Sequence, residues 1–234
     1  MNTAFALQHT TNRARPSYLS PLPTPSAVAT VAAGLDRVGT VTAIGRGRTL
    51  IVEDDPAEHV FKVVEGALRA VRLLPDGRRY ITEFLLPGDY IGLAENGTYS
   101  QSIEAVSEAK LVKYTRRRFD AFLDANPRAG KHFFGLVCGE VSAAQERLLL
   151  LGRKSALERI ATFLLATADR KSDDATQVEL PMSRSDIADY LGLTNETVSR
   201  VLTQLRTDRV IETPSVNHVV FINRDALEDI STGE

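Results

Sequence analysis

A narrow apolar stripe in the middle of the chain is the feature that most limits how these 234 residues can fold. Its members alternate at spacings of three and four residues, which is the a/d pattern of a coiled coil. They are Phe134, Val137, Val141, Ala144, Leu148 and Leu151. The stripe predicts one helix from about residue 128 to 151, roughly 36 Å long at 1.5 Å per residue.

A helix with this stripe can lie on the core of its own chain or pair with a second copy. Phe133 and Leu136 widen the stripe near its start, as contact with the rest of the chain would require. From Val141 onward the stripe is narrow and its flanks are polar. Because polar flanks favour a partner helix over a broad core, we predict a parallel homodimer through this helix.

The sequence before the stripe is typical of β structure from about residue 38 to 114. Its runs are rich in branched residues, as in "TLIVED", "HVFKVVEGALRAVRLL" and "RRYITEFLL", and glycine-containing turns separate them. The segment "LLPDGRR" predicts a hairpin. Many short strands at regular spacing indicate an antiparallel sandwich or a jelly-roll barrel.

The sequence after the stripe predicts a helix-turn-helix followed by a wing. In "LPMSRSDIADYLGL", Ser183 and Asp186 have the spacing of a capping box, and Gly192 permits a sharp turn. Thr194 can cap a second helix that buries an apolar face. The segment "RVIETPSVNHVVFI" predicts two strands around a turn, and "RDALEDI" a closing helix.

These patterns divide the chain into four parts and predict an α+β fold. The first is a proline-containing tail at residues 1–27, and the second is a β-barrel at 28–126. A dimerisation helix at 127–152 and a winged helix-turn-helix domain at 153–234 follow.

Three polar residues interrupt the apolar pattern of the second predicted helix, "NETVSRVLTQLR". Glu196, Ser199 and Arg200 lie at i, i+3 and i+4, on the face opposite the buried one. They can be a solvated face with an i,i+4 ion pair, or they can contact DNA. Arginine can bond guanine O6 and N7, glutamate can accept from cytosine N4, and serine can bond a base or a phosphate.

The charge around this motif is balanced. Residues 181–210 contain four arginines and four acidic residues, and the whole chain has a formal net charge of −2. Phosphate contacts would therefore depend on helix N-termini and on Ser183, Arg184, Ser185 and Thr197. We expect modest non-specific affinity for DNA.

Together, the β domain, the long helix and "LPMSRSDIADYLGLTNETVSR" resemble the CRP/FNR superfamily of bacterial transcription regulators, and within it the FixK branch. The resemblance implies a homodimer on a palindromic double-stranded DNA site with TTGA-type half-sites. It implies that Glu196, Ser199 and Arg200 read bases, while position 195, here Asn195, varies within the family. It also implies an activator that works with RNA polymerase on genes of low-oxygen respiration or nitrogen fixation.

This chain departs from the family pattern at the residues that bind a cyclic nucleotide. The family's cyclic-nucleotide binders carry Gly-Glu after the "PGD" turn and later Arg-Ser or Arg-Thr. This chain has Gly92-Leu93 and Gln101-Ser102 at the matching positions. Without the arginine, a buried phosphate would lack its cation, at a cost of several kcal/mol. We therefore expect no cyclic nucleotide and no other cofactor.

One alternative is a regulator of the same family with an unidentified effector in the barrel. Six arginines of the β segment could bind an anion, but we expect them to form a solvated sheet face. They are Arg46, Arg48, Arg69, Arg72, Arg78 and Arg79.

An enzyme is the other alternative, and we expect none. The barrel has a single histidine, His59, whereas barrel metal sites need paired histidines. Cys138 is the only cysteine, which excludes an internal disulfide, and we expect it to be buried. Low cysteine content fits the cytoplasm, and no apolar run is long enough to span a membrane. The loop at 169–177 is either a contact surface for polymerase or a plain connector.

Overall fold

The computed structural model describes residues 34–35, 37–95, 97–170, 172 and 175–233. The predicted tail at 1–27 lies outside these residues, as does part of the loop at 169–177. Within the described part of the chain, no helix has the length and apolar character needed to cross a membrane.

Eight strands form the N-terminal β domain, in two four-stranded antiparallel sheets with the orders β1-β8-β3-β6 and β2-β7-β4-β5. The strands are β1 (Thr40–Ile44), β2 (Thr49–Ile51), β3 (His59–Glu65), β4 (Leu68–Leu73), β5 (Arg79–Leu85), β6 (Tyr90–Ile91), β7 (Ser102–Ala105) and β8 (Ala109–Thr115). The antiparallel β domain is confirmed, and β4 and β5 form the predicted hairpin. Gly77, at φ +82°, provides the left-handed backbone that its turn needs.

A bulge in β5 sorts its side chains between the two faces of the sheet. Ala70 pairs with Glu83 and Val71 with Ile81, so Thr82 is an extra residue in β5. Glu83 therefore shares the barrel-facing side with Ala70. Phe84, which follows, lies on the outer side.

Three helices follow the β domain: α1 (Arg116–Ala125), α2 (Pro127–Arg153) and α3 (Ala156–Asp169). Helix α2 is the predicted long helix, and it continues through Gly152 to Arg153. Asn126 occupies the N-cap position of α2 without capping it, because its side-chain amide donates to the Phe122 carbonyl at 2.8 Å. Asn126 thus closes α1.

The C-terminal domain has the predicted helix-turn-helix, wing and closing helix. Its helices are α4 (Arg184–Leu191), α5 (Asn195–Thr207) and α6 (Arg224–Thr232), and its strands are β9 (Gln177–Glu179), β10 (Ile211–Ser215) and β11 (His218–Phe221). The strands form one sheet in the order β10-β11-β9, so the wing hairpin gains a third strand that its sequence pattern did not indicate.

Three apolar clusters hold these parts together. One fills the space between the barrel sheets, around Phe61, Leu68 and Leu111. A second joins the outer face of β3 and β8 to α1 and to Phe133 of α2, which confirms that the start of the long helix contacts the barrel. The third and largest cluster is shared by the outer face of β4 and β5 and the whole C-terminal domain. The two domains are therefore packed together.

Candidate nucleic-acid interface

Helix α4 begins at a complete capping box. The Ser183 hydroxyl accepts from the Asp186 amide at 3.1 Å, and the Asp186 carboxylate accepts from the Ser183 amide at 3.0 Å. The helix ends at Gly192, whose left-handed backbone at φ +63° turns the chain within three residues into α5. This local chemistry confirms the predicted turn.

Helix α5 has one buried face and one open face. Thr194 caps it by accepting from the Thr197 amide at 3.1 Å. Its apolar side chains face the domain core: Val198, Val201, Leu202 and Leu205. The opposite face exposes Asn195, Glu196, Arg200 and Thr203, and Ser199 is half-buried beside them. The predicted base-reading residues therefore share one open face.

The polar residues of this face are mostly free of one another. Glu196 and Arg200 form no ion pair with each other among the described contacts, so the surface pair considered above is not made. The Arg184 guanidinium donates to the Ser199 hydroxyl at 3.3 Å and links α4 to α5. Such an open row of donors and acceptors suits hydrogen bonding to base edges.

The residues predicted to contact phosphate differ in whether their hydroxyl groups are free to bond DNA. Ser185 is exposed at the start of α4. The Ser183 hydroxyl is also exposed, but it donates to Asp186 Oδ2 at 2.8 Å, so its hydrogen is already used. The hydroxyls of Thr197 and Thr194 lie 2.8 Å apart and share one hydrogen bond.

The apolar stripe of α2 lies largely in the open. Phe134 is 70% exposed, Val141 55% and Leu148 73%. Ala144 is exposed and Val137 half-buried. Leu151 differs, because it packs against the C-terminal apolar cluster.

Cys138 also lies on α2. We expected a buried thiol and this was wrong, since the side chain is exposed. Its position beside the stripe leaves it on the open surface of the helix.

A cavity of about 220 Å³ lies between β5, β6 and α2. Leu93 and Gln101, the two departures from the cyclic-nucleotide pattern, both line it. Gln101 accepts a 2.5 Å hydrogen bond from the Thr82 hydroxyl. These side chains place no cation where a phosphate would need one.

Three carboxyl groups, of Glu83, Asp89 and Glu140, line this cavity together with two arginines, Arg147 and Arg170. The pKa of Glu83 is raised to about 7, mainly by burial and in addition by the nearby Asp89 carboxylate. Burial also raises the pKa of Glu140. Of the two arginines in the lining, Arg170 is paired with both oxygens of Asp89 at 2.6 Å. The other, Arg147, lies over the Tyr190 ring, 4.9 Å from its centroid. Neither arginine stands at position 101, where the family's phosphate-binding arginine would be.

Two strand arginines that we expected on a solvated sheet face are instead partly buried against α4. Arg69 of β4 and Arg79 of β5 both form ion pairs with Asp186 of α4, at 2.6 and 2.9 Å. Arg79 also pairs with Asp189 at 2.8 Å. The alternation of the strands gave no hint of this, because the partner helix is over 100 residues away in the sequence. The other four arginines are exposed.

Comparison with known proteins agrees with this architecture. The cyclic nucleotide-binding domain family matches residues 41–126, and the Crp-like helix-turn-helix domain family matches residues 158–230. The nitrogen fixation regulation protein FixK of Azorhizobium caulinodans is 42% identical over 199 residues, which are 83% of this chain and 80% of that protein. The chain belongs to the FixK branch of the CRP/FNR superfamily.

Two further comparisons agree. The solved structure of FixK2 from Bradyrhizobium japonicum is 39% identical, with a TM-score of 0.78 over 82% of this chain and 97% of that one. The transcriptional activatory protein AadR of Rhodopseudomonas palustris is 40% identical, over 75% of each chain. Membership of the CRP/FNR superfamily makes the chain a DNA-binding transcription regulator and not an enzyme.

Proposed function

We propose that this FixK-branch protein is a homodimeric activator that reads a palindromic DNA site without a cyclic nucleotide. The observation that carries the proposal is the open face of α5. Asn195, Glu196 and Arg200 are exposed there, opposite four buried apolar residues. The second helix of a helix-turn-helix enters the major groove with its first turns toward the bases.

In this proposal each residue has a role. Arg200 bonds guanine O6 and N7, Glu196 accepts from a cytosine amino group, and Ser199 bonds a base or phosphate. Asn195 contacts an adenine edge. Ser183, Arg184, Ser185 and Thr197 position the helix on the phosphates.

The dimer forms through the stripe on α2. Three large apolar side chains at the a positions are more than half exposed in the single chain, and Val137 and Ala144 lie between them. A second copy of α2, related by a two-fold axis, would cover this stripe with the same residues. Two copies of α5 then face two half-sites about one helical turn apart.

Control without a cyclic nucleotide is supported by the cavity chemistry. A cyclic nucleotide carries a phosphate, and the cavity has Leu93 and Gln101 at the family's ligand positions and three carboxyl groups beside its two arginines. The second candidate, a regulator with another small effector, is favoured by the existence of the cavity itself. A large gain in DNA affinity on adding one metabolite would select this candidate.

The biological setting follows from the relatives. Three FixK proteins at 36–42% identity are named as nitrogen fixation regulators. We infer that the protein activates genes of nitrogen fixation or low-oxygen respiration from TTGA-type sites in the cytoplasm, together with RNA polymerase.

The decisive experiment is a binding titration without added ligand. A duplex with TTGA and its inverted repeat, centred about 10 bp apart, is compared with a scrambled duplex of the same composition. We expect the palindrome to bind at least about a thousandfold more tightly, the lower end of the usual specificity range. Equal binding to both duplexes by the purified protein would refute the proposal.

A further inference from the structure

Five charged residues connect the barrel to the first helix of the DNA-binding motif. Arg69 Nη1 and Arg79 Nη2 lie 2.6 and 2.9 Å from the same Asp186 oxygen. Arg79 also places Nε and Nη2 at 3.0 and 2.8 Å from Asp189 Oδ2. Arg69 in turn donates twice to Glu104 of β7, at 2.9 and 2.7 Å. We call this network of Arg69, Arg79, Glu104, Asp186 and Asp189 the clamp.

The clamp lies at the edge of an apolar contact between the two domains. Phe84 of β5 packs against Tyr190 of α4 and Phe163 of α3, with ring centroids 5.1 and 6.2 Å apart. Val71 and Ile81 of the barrel belong to the same buried cluster. Apolar contact is not directional, so it holds the domains together without fixing their angle.

The clamp supplies the directionality. An arginine fork that meets carboxylate oxygens tolerates few orientations, because each N–H must point at its acceptor. Asp186 is almost fully buried, with 5% of its side chain exposed, and its second oxygen is used by Ser183. A tilt of α4 would break several of these charged hydrogen bonds at once.

Helix α4 relays this constraint to the reading helix. Asp186, Asp189 and Tyr190 lie at i, i+3 and i+4 and face the barrel. Arg184, at the start of the same helix, donates to Ser199 on α5. The barrel therefore contacts one side of α4 while α5 is attached to another.

We propose that Arg69 and Arg79 are positioning residues that set the angle of α5 relative to the barrel and α2. In a dimer this angle fixes the distance between the two reading helices, and so the half-site spacing that the protein accepts. The inference rests on the proposed function, since it assumes a dimer on a palindrome.

The test is a spacing series. The full chain is titrated with palindromes whose half-site centres are 8 to 12 bp apart, a range around one turn of duplex. The wild-type protein should show a sharp optimum. The double variant Arg69→Ala/Arg79→Ala should bind the optimal duplex about tenfold less tightly and discriminate spacings at least fivefold less. A partly unfolded sample lowers all affinities equally, so the ratio between spacings reports positioning and not folding.

The chain offers a matched control in the same hairpin, with Arg72 on β4 and Arg78 in the turn just before β5. Arg72→Ala/Arg78→Ala also removes two positive charges, but these side chains are 57% and 77% exposed and, among the described residues, pair with Glu53 and Asp76 on the barrel itself. This variant should retain the wild-type optimum. Arg79→Lys, which keeps the charge without the fork, should give an intermediate spacing preference.

Three outcomes separate the claims. If Arg69→Ala/Arg79→Ala keeps the wild-type optimum, the clamp has no positioning role. If this variant binds DNA more tightly than wild type, the clamp holds α5 away from DNA, and the proposal is overturned in the opposite sense. If the wild-type protein itself does not distinguish a palindrome from scrambled duplex, the proposed function fails first.

Discussion

Arg200 is the residue on which we propose that sequence selectivity most depends. Its side chain is exposed on the second turn of α5 and forms no ion pair with Glu196 in the described contacts. Within the part of the chain that the structure describes, no ion pair with Glu196 has to be broken before Arg200 reaches a guanine.

We predict that Arg200→Ala abolishes the preference for guanine in each half-site. A bidentate arginine–guanine contact contributes about 1–3 kcal/mol, or roughly tenfold to a hundredfold per half-site. Competitive binding with duplexes altered at the guanine measures this preference. Arg206→Ala, also exposed on α5 and also losing one positive charge, should leave it intact. Equal effects of the two changes would assign Arg200 to general electrostatics.

Glu83 is a buried carboxyl whose titration links stability to pH. Burial raises its pKa to about 7 in the folded chain, against 4.5 for an ordinary glutamate side chain. The folded state therefore binds more protons than the unfolded state between pH 4.5 and 7. Its contribution is fully present below pH 4.5 and is lost as pH rises through 7.

We predict that Glu83→Gln raises the free energy of unfolding at pH 8 by on the order of 2 kcal/mol and has much less effect at pH 5. Urea unfolding at both pH values measures the difference. Glu108→Gln, a change at an exposed carboxylate, serves as the control. A gain of the same size at both pH values would mean that ionisation of Glu83 is not the cause.

At the scale of the element, α2 has two different halves. Near its start, Phe133 makes edge-on ring contacts with Tyr90 and Phe119, both at 5.0 Å, and fastens the helix to the barrel. Its second half exposes Val141 and Leu148 on a narrow stripe. The first half therefore anchors the helix on its own barrel, although Phe134 there stays 70% exposed, and the second half carries the rest of the stripe that we propose a second copy covers.

We predict that Leu148→Glu gives monomers, because two like charges would face each other in the stripe. Sedimentation velocity measures the oligomeric state. Leu149→Glu makes the same change one position off the stripe, at a side chain that is also exposed, and should leave the dimer intact. A dimer in the first variant, or a monomer in the second, would show that the register of the stripe is wrong.

At the scale of the whole molecule, charge limits how the protein holds DNA. The net charge is −2, and the helix-turn-helix region has as many acidic as basic residues. Several arginines of the described chain are used internally, among them Arg170 with Asp89 and Arg224 with Asp169. Affinity must therefore come from directed hydrogen bonds more than from a broad positive surface.

We predict a shallow salt dependence. If about four phosphates are neutralised per dimer, log K should fall against log salt with a slope near −4, or about a hundredfold between 50 and 200 mM. Anisotropy titrations on the palindromic duplex at four salt concentrations measure the slope. A slope steeper than about −7 would reveal a basic surface beyond α4 and α5.

The sequence by itself determined the elements and their local chemistry. Four features depend only on residues close together in the sequence, so a single sequence is enough to predict them. They are the capping box at Ser183, the turn at Gly192, the β4–β5 hairpin and the α2 stripe. The polar face of α5 was predicted for the same reason, since helical spacing alone places Glu196 and Arg200 on one side of the helix.

Only the tertiary structure decided which polar residues are used up. Arg69 and Arg79 meet Asp186 because two domains pack together, and no spacing rule relates positions so distant in the chain. Glu83 acquired its raised pKa from a bulge and a neighbouring helix, and Cys138 proved exposed because the barrel covers only the start of α2. Burial of a charge depends on what approaches it from elsewhere, and that is set by how the elements pack.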